Sequence, residues 1–290
     1  MYVIGPEFSD GLTLFLSSLV KRYTSSMGTD PSSALTSNPD TAEDPGPLPA
    51  TTETSSVALG AQEFSVSLWD WDGVLVDSRR NFYGAYEKAL REQSIITSPR
   101  EIFLREGEPT PVLLRAIFDS RHISVDDDKI RELVIRRREY DFALGERRLF
   151  TAVPRILRRL RDAGQRTGLV TGSSRSSLDK LLQPEQARWF DVIVTADDVT
   201  HGKPHPEPFL RAMQALKADP KTCVVIENAP FGIQAARAAG CAVIAICSTL
   251  SKEDLSEADR VVQDHEELET LLFGDARSRD RLTPLLGDSR

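Results

Sequence analysis

The chain has little that would staple it together or anchor it. Cys223, Cys241 and Cys247 are its only cysteines in 290 residues. Their odd count and apolar neighbours argue against a disulfide framework. No CxxC pair and no histidine-rich run points to zinc; there are four histidines in all. Excess basic charge is also missing. The net charge is −8, whereas a nucleic-acid binder needs a basic footprint to displace counterions from phosphates. The longest early apolar run, residues 12–20, is broken by Thr13, Ser17 and Ser18. It falls short of the about 20 residues that span a bilayer, and no basic stretch precedes it. These absences predict a reduced, cytoplasmic protein that binds neither nucleic acid nor membrane. Any anionic ligand must then meet a local cation rather than a positive surface.

Organisation follows from composition. Residues 25–56 are rich in Ser, Thr, Pro, Asp and Gly and poor in apolar side chains, too little to offset the entropy of ordering. Residues 1–62 therefore read as a disordered tail, and the charged residues 275–290 as a frayed end. Residues 65–70 read as a short strand. Helical apolar spacing follows at 81–93, 111–119 and 126–144, with charges on the outer faces. After Pro154 the pattern changes to alternation, with strands at 165–171, 190–194, 222–226 and 242–246 and helices at 174–182, 206–217 and 231–239. Gly240 ends the last of these helices. Apolar, β-branched strands alternating with helices predict a parallel sheet covered on both faces. The fold class expected is therefore α/β, a doubly wound parallel sheet with an all-helical insertion. The core comprises residues 63–80 and 151–274, and the insertion residues 81–150.

The chemistry concentrates in four segments. Asp70-Trp71-Asp72-Gly73-Val74-Leu75-Val76-Asp77-Ser78 sets two carboxylates two residues apart at the end of the first strand, where open α/β sheets bind ligands. On extended backbone they point the same way, and Gly73 permits a sharp turn. One can attack phosphorus while the other handles a proton. Thr171-Gly172-Ser173-Ser174 follows the next core strand and offers a hydroxyl and loop N–H groups to a phosphate. Lys203, inside Gly202-Lys203-Pro204-His205-Pro206, can neutralise an aspartate and a phosphate together. Glu227-Asn228 ends another strand in an acid and an amide, hard oxygen donors of the kind Mg²⁺ takes. His201 and His205 flank Lys203 and read as loop residues at the mouth of the site, since the two aspartates already supply the acid–base chemistry.

In this order the four segments resemble the haloacid dehalogenase-like superfamily, in particular its β-phosphoglucomutase and phosphoglycolate phosphatase branch, whose helical cap follows the first motif. The resemblance covers roughly residues 64–273. It implies a Rossmann-like core with the cap over the site. It also implies Asp70 as nucleophile, Asp72 as general acid/base and, through its carbonyl, Mg²⁺ ligand, Thr171 and Lys203 as phosphate-site residues, and Glu227 as metal ligand. Three departures stand out: Trp71 for a smaller apolar residue, Asn228 for a second acid, and Phe82 where β-phosphoglucomutases carry a histidine. The cap loop Arg105-Glu106-Gly107-Glu108-Pro109-Thr110 is the candidate to reach the site on closure.

The expectation is a Mg²⁺-dependent phosphohydrolase of a small phosphorylated metabolite (a sugar phosphate, a phosphoglycolate-like compound or pyrophosphate), working through an aspartyl phosphate as a monomer or weak dimer. The substrate contacts expected are Gly172, Ser173, Arg105, Glu106 and Arg175, and the metal donors Asp70, Asp72, Glu227 and Asn228. A sugar phosphomutase shares all four motifs and is the alternative. A silent binding module is the third reading, which retention of Asp70 and Lys203 disfavours.

Overall fold

Six parallel strands form the sheet that carries the site. In this computed structural model, residues 64–274 are described; the expected tails at 1–62 and 275–290 lie outside them. The strands are β1 (Val66–Trp69), β4 (Arg166–Val170), β5 (Val192–Val194), β6 (Cys223–Glu227), β7 (Ala242–Ile246) and β8 (Arg260–Val262), in spatial order β5-β4-β1-β6-β7-β8. The chain leaves β1 toward β4 and β5, then crosses back to β6 on the other flank of β1. That reversal opens a crevice at the carboxyl end of β1, the place where such sheets bind ligands.

Side chains along the strands alternate between two apolar layers, as the two-residue period requires. Val66 and Leu68 of β1, Val225 of β6 and Val243 of β7 pack with Phe209 and Met213 of α8 (Glu207–Leu216) and with Ile233 of α9 (Pro230–Ala238). Trp69, Ile226 and Ile244 point the other way, onto Ile156 and Leu160 of α5 (Val153–Asp162) and Leu268 of α10 (His265–Phe273). Trp71, the first departure from the family pattern, is buried in this second layer.

A third apolar cluster belongs to the insertion alone. It joins Tyr86, Ala89 and Leu90 of α1 (Arg79–Arg91) and Ile102 of α2 (Pro99–Phe103) to Leu113, Leu114 and Ile117 of α3 (Thr110–Asp119) and to Ile130 and Leu133 of α4 (Asp127–Ala143). The two connections between insertion and core run side by side as β2 (Val76–Asp77) and β3 (Arg148–Leu149), an antiparallel pair with Val76 opposite Leu149.

Three differences from the expected element pattern bear on the core and its connections. The helix expected at 174–182 stops early: α6 (Arg175–Leu178) is one turn long and α7 (Pro184–Ala187) starts anew. Ser176 and Ser177 are weak helix formers, and Pro184 disfavours helical backbone at the residue before it. The β2–β3 pair, at two residues a strand, is too short to show a period. Finally, β8 and α10 complete the sheet and its second layer beyond the last strand expected.

Candidate active site

Asp70 directly follows β1, and its N–H donates to Ile226 O at 3.1 Å, so its backbone is still held by the sheet. Lys203 comes from the loop before α8 and reaches across. Its ammonium donates to Asp70 Oδ1 at 2.6 Å, to Glu227 Oε1 at 2.6 Å and to Val170 O at 3.3 Å, one acceptor for each of its three protons. Glu227, the last residue of β6, accepts through its other oxygen from the N–H groups of Asn228 and Ala229 at 2.8 and 3.1 Å. Gly232 of α9 makes room for that carboxylate, since a Cβ at this position would overlap it.

Asp70, Lys203 and Glu227 are all nearly shut off from water. Burial raises the Asp70 carboxyl to about 7; Lys203 opposes the rise, and the charges of Glu227 and Asp72 add to it. For Lys203, burial alone would lower the ammonium, but the charges of Asp70 and Glu227 outweigh it and hold the group above its ordinary value. The pair is thus a fixed cation against a carboxylate whose burial makes it a stronger base than a surface aspartate.

The turn after Asp70 brings a second set of groups to the same crevice. Gly73 has φ +77°, a left-handed backbone, and a Cβ on it would overlap the Asn228 amide. Gly73 N–H donates to Val76 O at 2.9 Å and closes the turn. Asn228 Nδ2 donates to Glu106 Oε2 at 3.0 Å and to Thr249 Oγ1 at 3.1 Å. Asn228 Oδ1 is then buried without a partner. Glu106, which comes from the insertion, is itself buried. Its burial, and then the charges of Asp70, Asp72 and Glu227, push its carboxyl well above the usual range.

Of the cap-loop residues, then, Glu106 reaches the core and Arg105 does not. The Arg105 guanidinium is held by Glu108 at 3.0 Å, three residues along the same loop. Arg175 is also directed elsewhere, donating to Ile193 O at 3.1 Å and pairing with Asp198 at 3.3 Å beside β5. Neither arginine contacts the cluster. Each has an acceptor close by.

Thr171 follows β4 and is buried. Its Oγ1 accepts the Ser173 N–H at 3.0 Å, which folds the 171–174 loop, with exposed Gly172 at its tip, back toward the strand end. The hydroxyl proton of Thr171 remains free to donate. Both oxygens of Glu227 are engaged, so the unsatisfied oxygen at the end of β6 belongs to Asn228. Phe82 packs edge-on to Tyr86, with centroids 5.2 Å apart, and stacks on Phe103 at 5.8 Å. An aromatic contact fills the place of the β-phosphoglucomutase histidine.

One residue was missed by the sequence reading. Arg147 precedes β3 where the insertion returns to the core. Its Nη2 donates to Asp141 Oδ1 at 2.7 Å, and its Nε lies 3.8 Å from Asp72 Oδ1. Both of those facing atoms, Arg147 Nε and Asp72 Oδ1, are buried and unpartnered. The only sequence signal is a basic residue directly ahead of the return strand.

With this geometry in view, comparison with known proteins is informative. The model of the haloacid dehalogenase-like hydrolase family matches residues 67–246. Validoxylamine A 7'-phosphate phosphatase of Streptomyces hygroscopicus subsp. limoneus is 30% identical over 206 residues, 69% of this chain and 94% of that protein. Pyrophosphatase PpaX of Bacillus cereus is 27% identical over 194 residues, 66% of this chain and 87% of its own length. Among solved structures, a provisional β-phosphoglucomutase of Bacteroides vulgatus superposes with a TM-score of 0.66 at 26% identity, covering 76% of this chain and 90% of its own.

Proposed function

This chain belongs to the haloacid dehalogenase-like hydrolase family, and on that footing we propose that it is a Mg²⁺-dependent phosphohydrolase of a small phosphorylated metabolite, with Asp70 as its nucleophile. The observation that carries this reading is the buried Lys203 ammonium held 2.6 Å from both Asp70 and Glu227 at adjoining strand ends. A cation so fixed holds the Asp70 carboxylate toward the crevice and meets the phosphate that arrives there. Asp70 attacks phosphorus and the ester oxygen leaves, giving an aspartyl phosphate. Asp72 protonates the leaving oxygen, then takes a proton from the water that attacks the phosphorus of that intermediate and restores Asp70. The Thr171 hydroxyl and the Gly172 N–H bind the phosphoryl oxygens, and the Ser173 N–H holds the Thr171 oxygen in place for this.

The donor set suits Mg²⁺, because it is made of hard oxygens and includes Asn228 Oδ1, buried with no partner of its own. Asp70, the Asp72 main-chain carbonyl and Asn228 would hold the ion; when bound it neutralises charge on the phosphoryl group. Glu227, with both oxygens engaged, acts chiefly on Lys203.

The helical insertion serves as the cap in this proposal, and Glu106 is its contact with the crevice. Phe82, packed among aromatic rings, disfavours the phosphomutase alternative. No helix among the described residues is long and apolar enough to cross a membrane, and we take the enzyme to act in the cytoplasm as a monomer or weak dimer. Phosphate release across a panel of sugar phosphates, phosphoglycolate and pyrophosphate, with and without Mg²⁺, tests the reading. Mg²⁺-dependent release from at least one class supports it. No release from any class, or equal release in chelator, overturns it.

A further inference from the structure

Lys203 lies between two histidines that the proposed chemistry does not use. The loop brings the His201 and His205 rings to 4.6 Å between centroids. His201 Nδ1 is 3.0 Å from Glu207 Oε2, and His205 Nδ1 is 4.0 Å from the same oxygen. One donor atom from each of the three residues falls within 4.8 Å of the others. From this cluster we propose a second metal site, in which His201, His205 and Glu207 bind a borderline d-block cation such as Zn²⁺ on the outer side of the Lys203 loop.

The donor chemistry separates this site from the crevice. Two imidazoles and a carboxylate are a zinc-type set, whereas the crevice offers only oxygens and suits Mg²⁺. Glu207 is fixed in place: Thr200 and His201 donate their backbone N–H groups to its carboxylate at 2.8 and 2.9 Å. Those two bonds hold its carboxyl down at about 2, so it is ionised at any working pH. His205 Nδ1 accepts the Glu207 N–H at 3.2 Å, which holds the ring beside the cluster. His201 Nδ1, 3.0 Å from Glu207 Oε2, meets a cation there as the neutral imidazole that carries its proton on Nε2.

Two costs bear on the site. Donors about a Zn²⁺ ion stand about 3.3 Å apart, given bonds of about 2.0 Å, so the rings must close in from their present spacing. Both histidines are exposed on a surface loop, and their side chains have room to turn. Glu207 also opens α8, whose amino end carries a partial positive charge of about half a unit. The full negative charge of the carboxylate exceeds it, which leaves the cluster attractive to a cation. Water fills the remaining positions.

The test uses the untagged full chain with Mg²⁺ in excess, so that the oxygen-lined crevice is occupied. With four histidines in the chain, each imidazole can be followed by NMR as Zn²⁺ is added. The signals of His201 and His205 should shift together and saturate at one equivalent, with those of His122 and His265 in place. Equilibrium dialysis should show the His201→Ala/His205→Ala double variant binding one Zn²⁺ fewer than the wild type. Zn²⁺ that leaves the two imidazoles unmoved, or a double variant that binds as much as wild type with equal affinity, overturns the proposal. The NMR reading on wild-type protein stands whether or not the variant folds.

Discussion

On the sheet side of the crevice, Lys203 directs its three protons to Asp70, Glu227 and the Val170 carbonyl, and Glu227 has both oxygens engaged. On the side where the insertion meets the core, Asp72 Oδ1, Glu106 Oε1, Arg147 Nε and Asn228 Oδ1 are all buried without a partner. Each such atom costs about 1–3 kcal/mol when left unmade, and most buried polar groups in folded proteins are satisfied. The two sides therefore divide the work. The sheet builds an ionic cluster around Lys203, and the insertion side holds open positions that a substrate phosphate and a hard cation complete.

The sharpest way to break this comparison is to remove the centre of the sheet side. Lys203→Met leaves Asp70 and Glu227 buried and facing each other. It should cost about 3–5 kcal/mol, as loss of one partner of a buried pair does, and abolish turnover. A denaturant series reads the first effect and phosphate release the second. A stable Lys203→Met protein would show that the sheet side is not held by its ion network.

Arg147→Met probes the open side. It should lower kcat by about 10–100-fold, since Asp72 loses the cation nearest its carboxylate, with little change in KM or in thermal midpoint. Arg147→Lys should recover part of the rate. A purely structural role would instead lower the midpoint and leave kcat per folded molecule unchanged. A smaller effect is expected from Asn228→Asp. It replaces the Nδ2–H donated to Glu106 with a second carboxylate oxygen 3.0 Å away. Metal-free protein should lose stability, and less Mg²⁺ should be needed for half-maximal rate. A variant that needs more Mg²⁺ would remove Asn228 from the donor set.

Much of the sheet side was legible in the sequence. Buried β-branched runs marked β1, β4, β6 and β7 to within about two residues, and Asp70, Lys203 and Glu227 each sit where a strand end or a proline-bounded loop announced them. The open side was less so, for physical reasons. Glu106 meets Asn228 across 122 positions of chain, and no local period encodes such a contact. Arg147 depends on the two-residue pairing of β2 with β3, which is too short to read. Arg105 and Arg175 pair with Glu108 and Asp198, local partners that the loop motifs do not encode.

The smallest expected effect concerns the support behind the Asp70 loop. His265 is buried, stacked on Phe150 at 4.3 Å, with Nε2 2.7 Å from Val74 O. Burial lowers its pKa below the ordinary value. The unfolded chain therefore takes up a proton before the folded one does. The stability this histidine contributes is present above about pH 6.5 and falls away as the pH drops below it. His265→Gln, which cannot titrate, should show a flatter loss of stability between neutral and mildly acidic pH. Equal slopes in both proteins would mean that His265 is not buried neutral behind the loop.

The claim that Asp70 is the nucleophile can be tested on the residue itself. Turnover is quenched with acid, the protein is reduced with borohydride, and the peptides are read by mass spectrometry. An aspartyl phosphate is an acyl phosphate, which borohydride reduces to an alcohol, so Asp70 should appear as homoserine in samples quenched during turnover and as aspartate in samples without substrate. Active turnover with Asp70 unaltered in every quenched sample, and another residue converted in its place, would contradict the account.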